Sequence, residues 1–252
     1  MPKNKRLSPR DQRKHSLFEA VKAGDLKQVQ QLTFMSKDKN PWNRGWTALH
    51  LAAKLGHLPI VQHLTHLTEE KNPHGLYGNT PLHLAARHGH LKVVQHFTNL
   101  LQDKNPFKLP DGIVPNLTTP LHLAAQFGHL TVVQHLTSLL EDKNPPNEYG
   151  WTPLHFAAKQ GHVKVVQHLT SFLEDKNPKD RIKRTPLHWA AGEGQLEVVK
   201  FMLEHCKIKD SRVKDEDGNS PSDLARMNNP YAKHILRNKF VDVSYYLDTC
   251  NF

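Results

Sequence analysis

Histidine is the residue that most invites a chemical reading of this chain, with nineteen copies in 252 residues. Neutral imidazole is the commonest protein ligand for zinc and the usual general base near neutral pH. Thirteen of the nineteen fall into three columns: His50, His83, His122, His155 and His188; His57, His90, His129 and His162; and His63, His96, His135 and His168. Within each column the members are separated by 33 or 39 residues, so they form ladders and do not converge on one point. A zinc site needs ligands that meet tetrahedrally, and neither Cys-x-x-Cys nor His-Glu-x-x-His is present. His88 with His90, and His63 with His66, are local pairs only. The spacing assigns the histidines to structure, with no metal and no cofactor expected.

Other catalytic patterns are also missing. There is no Gly-x-Ser-x-Gly elbow and no phosphate-binding P-loop. Gly192-Glu193-Gly194-Gln195-Leu196-Glu197 begins like a dinucleotide loop, but it lacks the third glycine and no strand precedes it. Cys206 and Cys250 lie far apart, with neither disulfide nor metal spacing, and Cys206 reads as a packing residue. The chain is therefore not expected to be an enzyme.

The ladders are carried by a repeated block. Thr-Pro-Leu-His-x-Ala-Ala begins at Thr80, Thr119, Thr152 and Thr185, and Thr-Ala-Leu-His-Leu-Ala-Ala begins at Thr47. In each unit, Thr caps a short helix, with Pro at its first position where the missing N–H costs nothing. Leu154, Ala157 and Ala158 form its apolar stripe, and Gly161 reverses the chain. Val163, Val166, Leu169 and Leu173 then share one face of a second helix. Such a hairpin cannot bury its stripe alone and must stack on its neighbours.

These blocks, together with Gly-His, Val-Val and the asparagines at 144 and 177, are similar to the ankyrin repeat family. The resemblance implies an all-α solenoid of stacked helix–turn–helix units with extended β-turn or hairpin loops, whose tips and first helices line a concave groove. It also implies that the first histidine column bonds to backbone of the adjoining turn. The repeats are read as starting near 16, 47, 80, 119, 152, 185 and 220, the first and last being degenerate caps. This gives a repeat domain over 16–238 between a basic disordered tail (1–15) and a C-terminal tail (239–252).

Two departures from the family pattern stand out. Leu-Glu-Asp-Lys-Asn-Pro or a close variant replaces the usual stretch after helix two, which predicts a longer second helix ended by Pro41, Pro73, Pro106, Pro145 or Pro178. The 39-residue interval adds six residues around Phe107 to Leu117, predicting an enlarged loop.

The differences between copies collect at the tips and at the ends of the first helices. Trp42, Arg44, Trp46, Leu76, Tyr77, Tyr149, Trp151, Arg181 and Arg184 fall on the tips; Arg87, His88, Phe127 and Lys159 fall at the helix ends. Trp, Tyr and Arg dominate protein interfaces, so these are the candidate partner-binding residues. Packing between tips competes for Trp46 and Trp151, and Trp189, inside a first helix, is expected in the core. The expected partner is another protein with an acidic or mixed surface. By the resemblance, Asn144 and Asn177 are also candidates for asparaginyl hydroxylation.

The net charge is +10, of which +5 lies in residues 1–15, through Lys3, Lys5, Arg6, Arg10, Arg13 and Lys14 against Asp11. That tail supports an alternative, a nuclear regulator that contacts nucleic acid, but the repeats offer no continuous basic groove. No apolar stretch is long enough to span a membrane and no secretory signal opens the chain. An intracellular monomer, cytoplasmic or nuclear, is expected.

Overall fold

The computed structural model describes residues 9–107, 118–206, 208 and 212–227. The chain divides into two compact units, Met1–Pro115 and Asn116–Phe252. The first holds α1 (Pro9–Ala23), α2 (Leu26–Met35), β1 (Trp42–Asn43), β2 (Trp46–Thr47), α3 (Ala48–Leu55), α4 (Leu58–Leu67), a single 3-10 turn (Leu76–Gly78), α5 (Pro81–Arg87) and α6 (Leu91–Leu100). The second holds α7 (Pro120–Gln126), α8 (Leu130–Leu139), α9 (Pro153–Gln160), α10 (Val163–Thr170), α11 (Pro186–Gly192), α12 (Leu196–His205) and α13 (Pro221–Met227). The architecture is an all-α repeat solenoid. In the first unit α1, α3 and α5 pack in series, as do α2, α4 and α6; in the second the series are α7, α9, α11, α13 and α8, α10, α12. Their inner faces, such as Leu154, Ala157, Ala158, Val165, Val166 and Leu169, are essentially solvent-free.

Helices α3, α5, α7, α9 and α11 each start with a capping box in which histidine takes the place usually held by Glu or Gln. The N–H of Thr47, Thr80, Thr119, Thr152 and Thr185 donates to Nδ1 of the histidine three residues on, at 3.1 to 3.3 Å. Because Nδ1 accepts, the ring proton sits on Nε2. Nε2 then donates to a carbonyl of the following tip: His50 to Asn79 (3.0 Å), His122 to Trp151 (3.0 Å), His155 to Arg184 (3.3 Å) and His188 to Asn219 (3.2 Å). One neutral ring therefore caps its own helix and pins the next tip.

The other two columns also bridge repeats. His90 Nε2 donates to Lys54 O at 2.9 Å, and His162 Nε2 to Gln126 O at 3.0 Å; Gln195 replaces histidine in the last full repeat and donates to Lys159 O. The glycine that each ring covers has a left-handed backbone, φ +73° at Gly128, and an added Cβ there would lie 2.6 Å from His162 Nδ1. In the third column His63, His96 and His168 meet Thr33, Thr65 and Thr137 Oγ1 at 2.8 to 2.9 Å. Each threonine donates its own proton to a carbonyl of its helix, so it accepts from the histidine. Among the described residues, no three His, Cys, Asp or Glu side chains gather as a metal site.

Two expectations need correction. The second helices end at Met35, Leu67, Leu100, Leu139 and Thr170, well before the prolines. A lysine does the capping: Lys39 and Lys71 reach back to the Thr33 and Thr65 carbonyls in the last turn of the helix just ended, and Lys104 and Lys143 to the Leu101 and Leu140 carbonyls at its C-cap. Ammonium at a helix C-terminus satisfies orphan carbonyls and complements the dipole. The asparagine that follows donates its N–H to the preceding aspartate, as Asn144 does to Asp142 at 2.9 Å, and its side-chain oxygen accepts the N–H of Leu49, Leu82, Leu154 or Leu187 in the next helix. Asp-Lys-Asn is thus a cap, a turn and a splice in three residues.

The boundary of the basic tail also moves. Helix α1 already begins at Pro9, so residues 9–15 are helical, because Pro starts the turn and the good helix formers Gln12, Arg13 and Lys14 extend it from the buried Leu17, Phe18, Ala20 and Val21. Residues 1–8, the enlarged loop over 108–117, and the segment 228–252, including the expected C-terminal tail, lie outside the described residues.

Burial pushes His50 and His155 from the ordinary 6.5 down to about 4, against the pull of their backbone carbonyl partners. The unfolded ring takes up its proton near the ordinary value and the folded ring resists, so stability is full above that value and is lost as pH falls toward 4. Going from about pH 7 to about pH 5 should remove on the order of 2 kcal/mol for each such histidine. Urea melts across this range test the prediction, and equal midpoints would contradict it. Gly128→Ala, which meets both a left-handed backbone and the His162 ring, should cost about 2 kcal/mol or more in the same assay.

Candidate functional site

The tips are built by short-range hydrogen bonds that leave side chains free to vary. In the first unit β1 and β2 pair antiparallel, Trp42 with Thr47 and Asn43 with Trp46. Arg44 and Gly45 both take positive φ, 51° and 78°, the backbone of a tight hairpin turn. Trp42 and Trp46 flank His50, with ring centroids 6.0 and 6.1 Å away, and Lys54 Nζ lies 5.4 Å from the Trp46 ring. Trp46 is half-buried by this packing, while Trp42 and Arg44 stay exposed. Tyr77 is 70% exposed and has φ 58°, a left-handed conformation that a tyrosine rarely adopts. Arg87 and His88 are exposed at the end of α5. The Leu76 side chain lies outside the described residues.

The second unit gathers its candidates more closely. At each tip one acceptor side chain folds the backbone over itself. Asn147 Oδ1 accepts the N–H of Tyr149 and Trp151; Asp180 Oδ1 accepts those of Ile182 and Arg184; Asp215 Oδ1 accepts those of Asp217 and Asn219. Neighbouring tips are joined by backbone bonds, Arg181 N–H to Tyr149 O at 3.0 Å and Glu216 N–H to Ile182 O at 3.1 Å.

Behind the tips 147–151 and 180–184 lies an apolar cleft of ≈ 360 Å³. Its floor is aromatic: Trp151 meets Trp189 at 4.3 Å and Phe156 at 5.0 Å between ring centroids. Tyr149, Ile182 and Arg181 form the rim. Trp189 is half-buried, not in the core as expected, and its indole N–H donates to Asp180 Oδ2 at 3.0 Å. Burial raises the Asp180 carboxyl above its usual range, opposed by that indole and by the tip N–H groups.

The cations expected to face a partner sort into two kinds. Lys159 lies over Trp151 and Trp189, at 5.1 and 4.7 Å from their centroids, and pairs with Glu193. Arg184 stacks 5.3 Å from the Trp189 centroid and bonds the buried carboxylate of Asp215 at 2.9 Å. Both are engaged in structure. Arg181 is exposed, as are its neighbours Lys179 and Lys183, and none of the three is in an ion pair among the described residues. Phe127 is 39% exposed at the end of α7. Asn144 is buried and Asn177 half-buried, and the side-chain oxygen of each accepts the splice bond from Leu154 or Leu187 N–H.

Sequence reasoning placed Ile182 on a tip but missed Phe156 and Asp180, and it misplaced Trp189. A signal was present at the variable position of the block, which reads Leu51, Leu84, Leu123, Phe156 and Trp189, turning aromatic in the last two copies.

A family model of ankyrin repeats matches the chain in three copies, over residues 17–108, 98–180 and 169–245. Comparison with curated proteins finds no match.

Asp180→Ala would leave two tip N–H groups and the Trp189 indole without their acceptor. It should cost about 2–4 kcal/mol and shift tryptophan emission to longer wavelength as the cleft wall loosens. Unchanged stability and emission would contradict the role given to Asp180.

Proposed function

Since the chain belongs to the ankyrin repeat family, we propose that it is a non-catalytic protein-binding module, an adaptor or competitive inhibitor, that engages its partner through the tips and first-helix ends. Ankyrin repeats are generally protein–protein interaction modules, which supplies the broad class. The observation that carries the finer reading is the contrast between surfaces. The histidine, glycine, asparagine and lysine columns are spent on capping helices and joining repeats, whereas the tips expose Trp42, Tyr77, Tyr149, Ile182 and Arg181. Large aromatic and Arg side chains at solvent-facing tips combine apolar area with a polar handle. A monomer working inside the cell suits this role. The proposal extends to Asn144 and Asn177 as hydroxylation sites in chains whose turn has opened; intact mass unchanged by a hydroxylase of this specificity would remove it.

The test is capture from cell lysate by the full chain and by the Tyr77→Ala, Tyr149→Ala, Arg181→Ala triple variant. These positions are exposed, so each substitution should alter stability by no more than about 0.5 kcal/mol. At least one protein should be lost or reduced about tenfold with the variant. Identical captured sets would contradict the tip assignment. Capture of nucleic acid alone, abolished by deletion of residues 1–15 and steeply weakened by salt, would favour the alternative role.

A further inference from the structure

We propose that the cleft behind tips 147–151 and 180–184 seats one bulky apolar side chain, aromatic or branched aliphatic, from a partner segment whose flanking residues are acidic. The inference rests on the protein-binding reading and narrows it to one seat and one ligand chemistry.

The walls set the character of the anchor. Asn147 Oδ1 and both oxygens of Asp180 are occupied by N–H donors of the tips and of Trp189. A polar side chain entering here would lose water without gaining those acceptors, which is unfavourable, whereas an apolar one loses nothing. The volume, ≈ 360 Å³, has room for a large side chain and part of its backbone.

A cationic anchor is disfavoured on separate grounds. Aromatic floors attract cations through the ring faces. Here Lys159 and Arg184 already lie over those rings, Lys159 4.7 Å from the Trp189 centroid and Arg184 5.3 Å from it. A further cation entering the cleft would meet Arg181, which lines it.

The rim sets the flanks. Lys159 and Arg184 are neutralised by Glu193 and by Asp215 with Asp217. Lys179, Arg181 and Lys183 are exposed along one tip without ion pairs among the described residues, and the adjacent tip carries one carboxylate, Glu148. Lys183 is held at φ 60°, so its direction of exit is fixed by the turn. Charge complementarity then favours carboxylates beside the anchor. The bonds from Arg181 N–H to Tyr149 O and from Glu216 N–H to Ile182 O hold both walls before any ligand arrives, which lowers the entropy lost on binding.

The experiment is selection of random twelve-residue displayed peptides on the full chain, followed by binding of a synthetic copy to the wild type, Ile182→Asp and Arg181→Glu, with circular dichroism confirming that both variants fold. Recovered peptides should share one Trp, Phe, Leu or Ile flanked by Asp or Glu. Binding should weaken about tenfold with either variant, and about tenfold when the anchor of the peptide becomes Ala. Recovery of no peptide, of basic peptides, or of acidic peptides indifferent to the anchor would overturn the proposal. So would binding of a single-stranded oligonucleotide that Arg181→Glu abolishes and Ile182→Asp leaves intact, since that would assign the cations to phosphate. If the lysate partners are captured equally by the wild type and both cleft variants, the protein-binding reading stands and the cleft is not its seat.

Discussion

The structure depends on a neutral imidazole that serves two repeats at once. Nδ1 closes the cap of its own helix, and Nε2 holds a carbonyl of the next tip, as His155 does between Thr152 and Arg184. A charged ring would carry a proton on Nδ1, facing an N–H donor, and the cap would open. A lysine or arginine could not substitute, because neither accepts. The ring is buried so that the bond is strong, and burial in turn keeps the ring neutral.

With the tips fixed in this way, their side chains are released from structural duty to different degrees. Trp151 and Trp189 are drawn into an aromatic floor, and Lys159 and Arg184 are drawn over it. Tyr149, Ile182 and Arg181 remain outside, on a backbone that is hydrogen-bonded to the next tip. A rigid frame with variable exposed residues is what a binding surface requires, because ordering costs are met during folding and not on contact.

The repeat, its helices and its turn glycines were legible because a fixed period makes each copy a control for the others, and Thr, Pro, Ala and Gly each act through local backbone chemistry. The Asp-Lys-Asn cap was misread for the opposite reason. Its lysine works by a side chain that curls back to the helix it follows, and proline, the louder signal, sits downstream of the true end. The cleft was hidden by a different physics. Trp189 shares its column with leucines, and a hydrophobic residue at that position reads as core. Only the three-dimensional arrangement shows that the ring lines a cleft and that its indole N–H is satisfied by Asp180. Lys159 and Arg184 looked free in sequence because their partners, Glu193 and Asp215, come from the following repeat.

The most direct test of this account is the titration of the His155 ring by nuclear magnetic resonance, with its tautomer read from the ring nitrogen shifts. The account predicts a neutral ring protonated on Nε2, with a titration midpoint pushed down to about 4 or lost in acid unfolding before it is reached. A midpoint near the ordinary histidine value in the folded protein, or a proton on Nδ1, would contradict it.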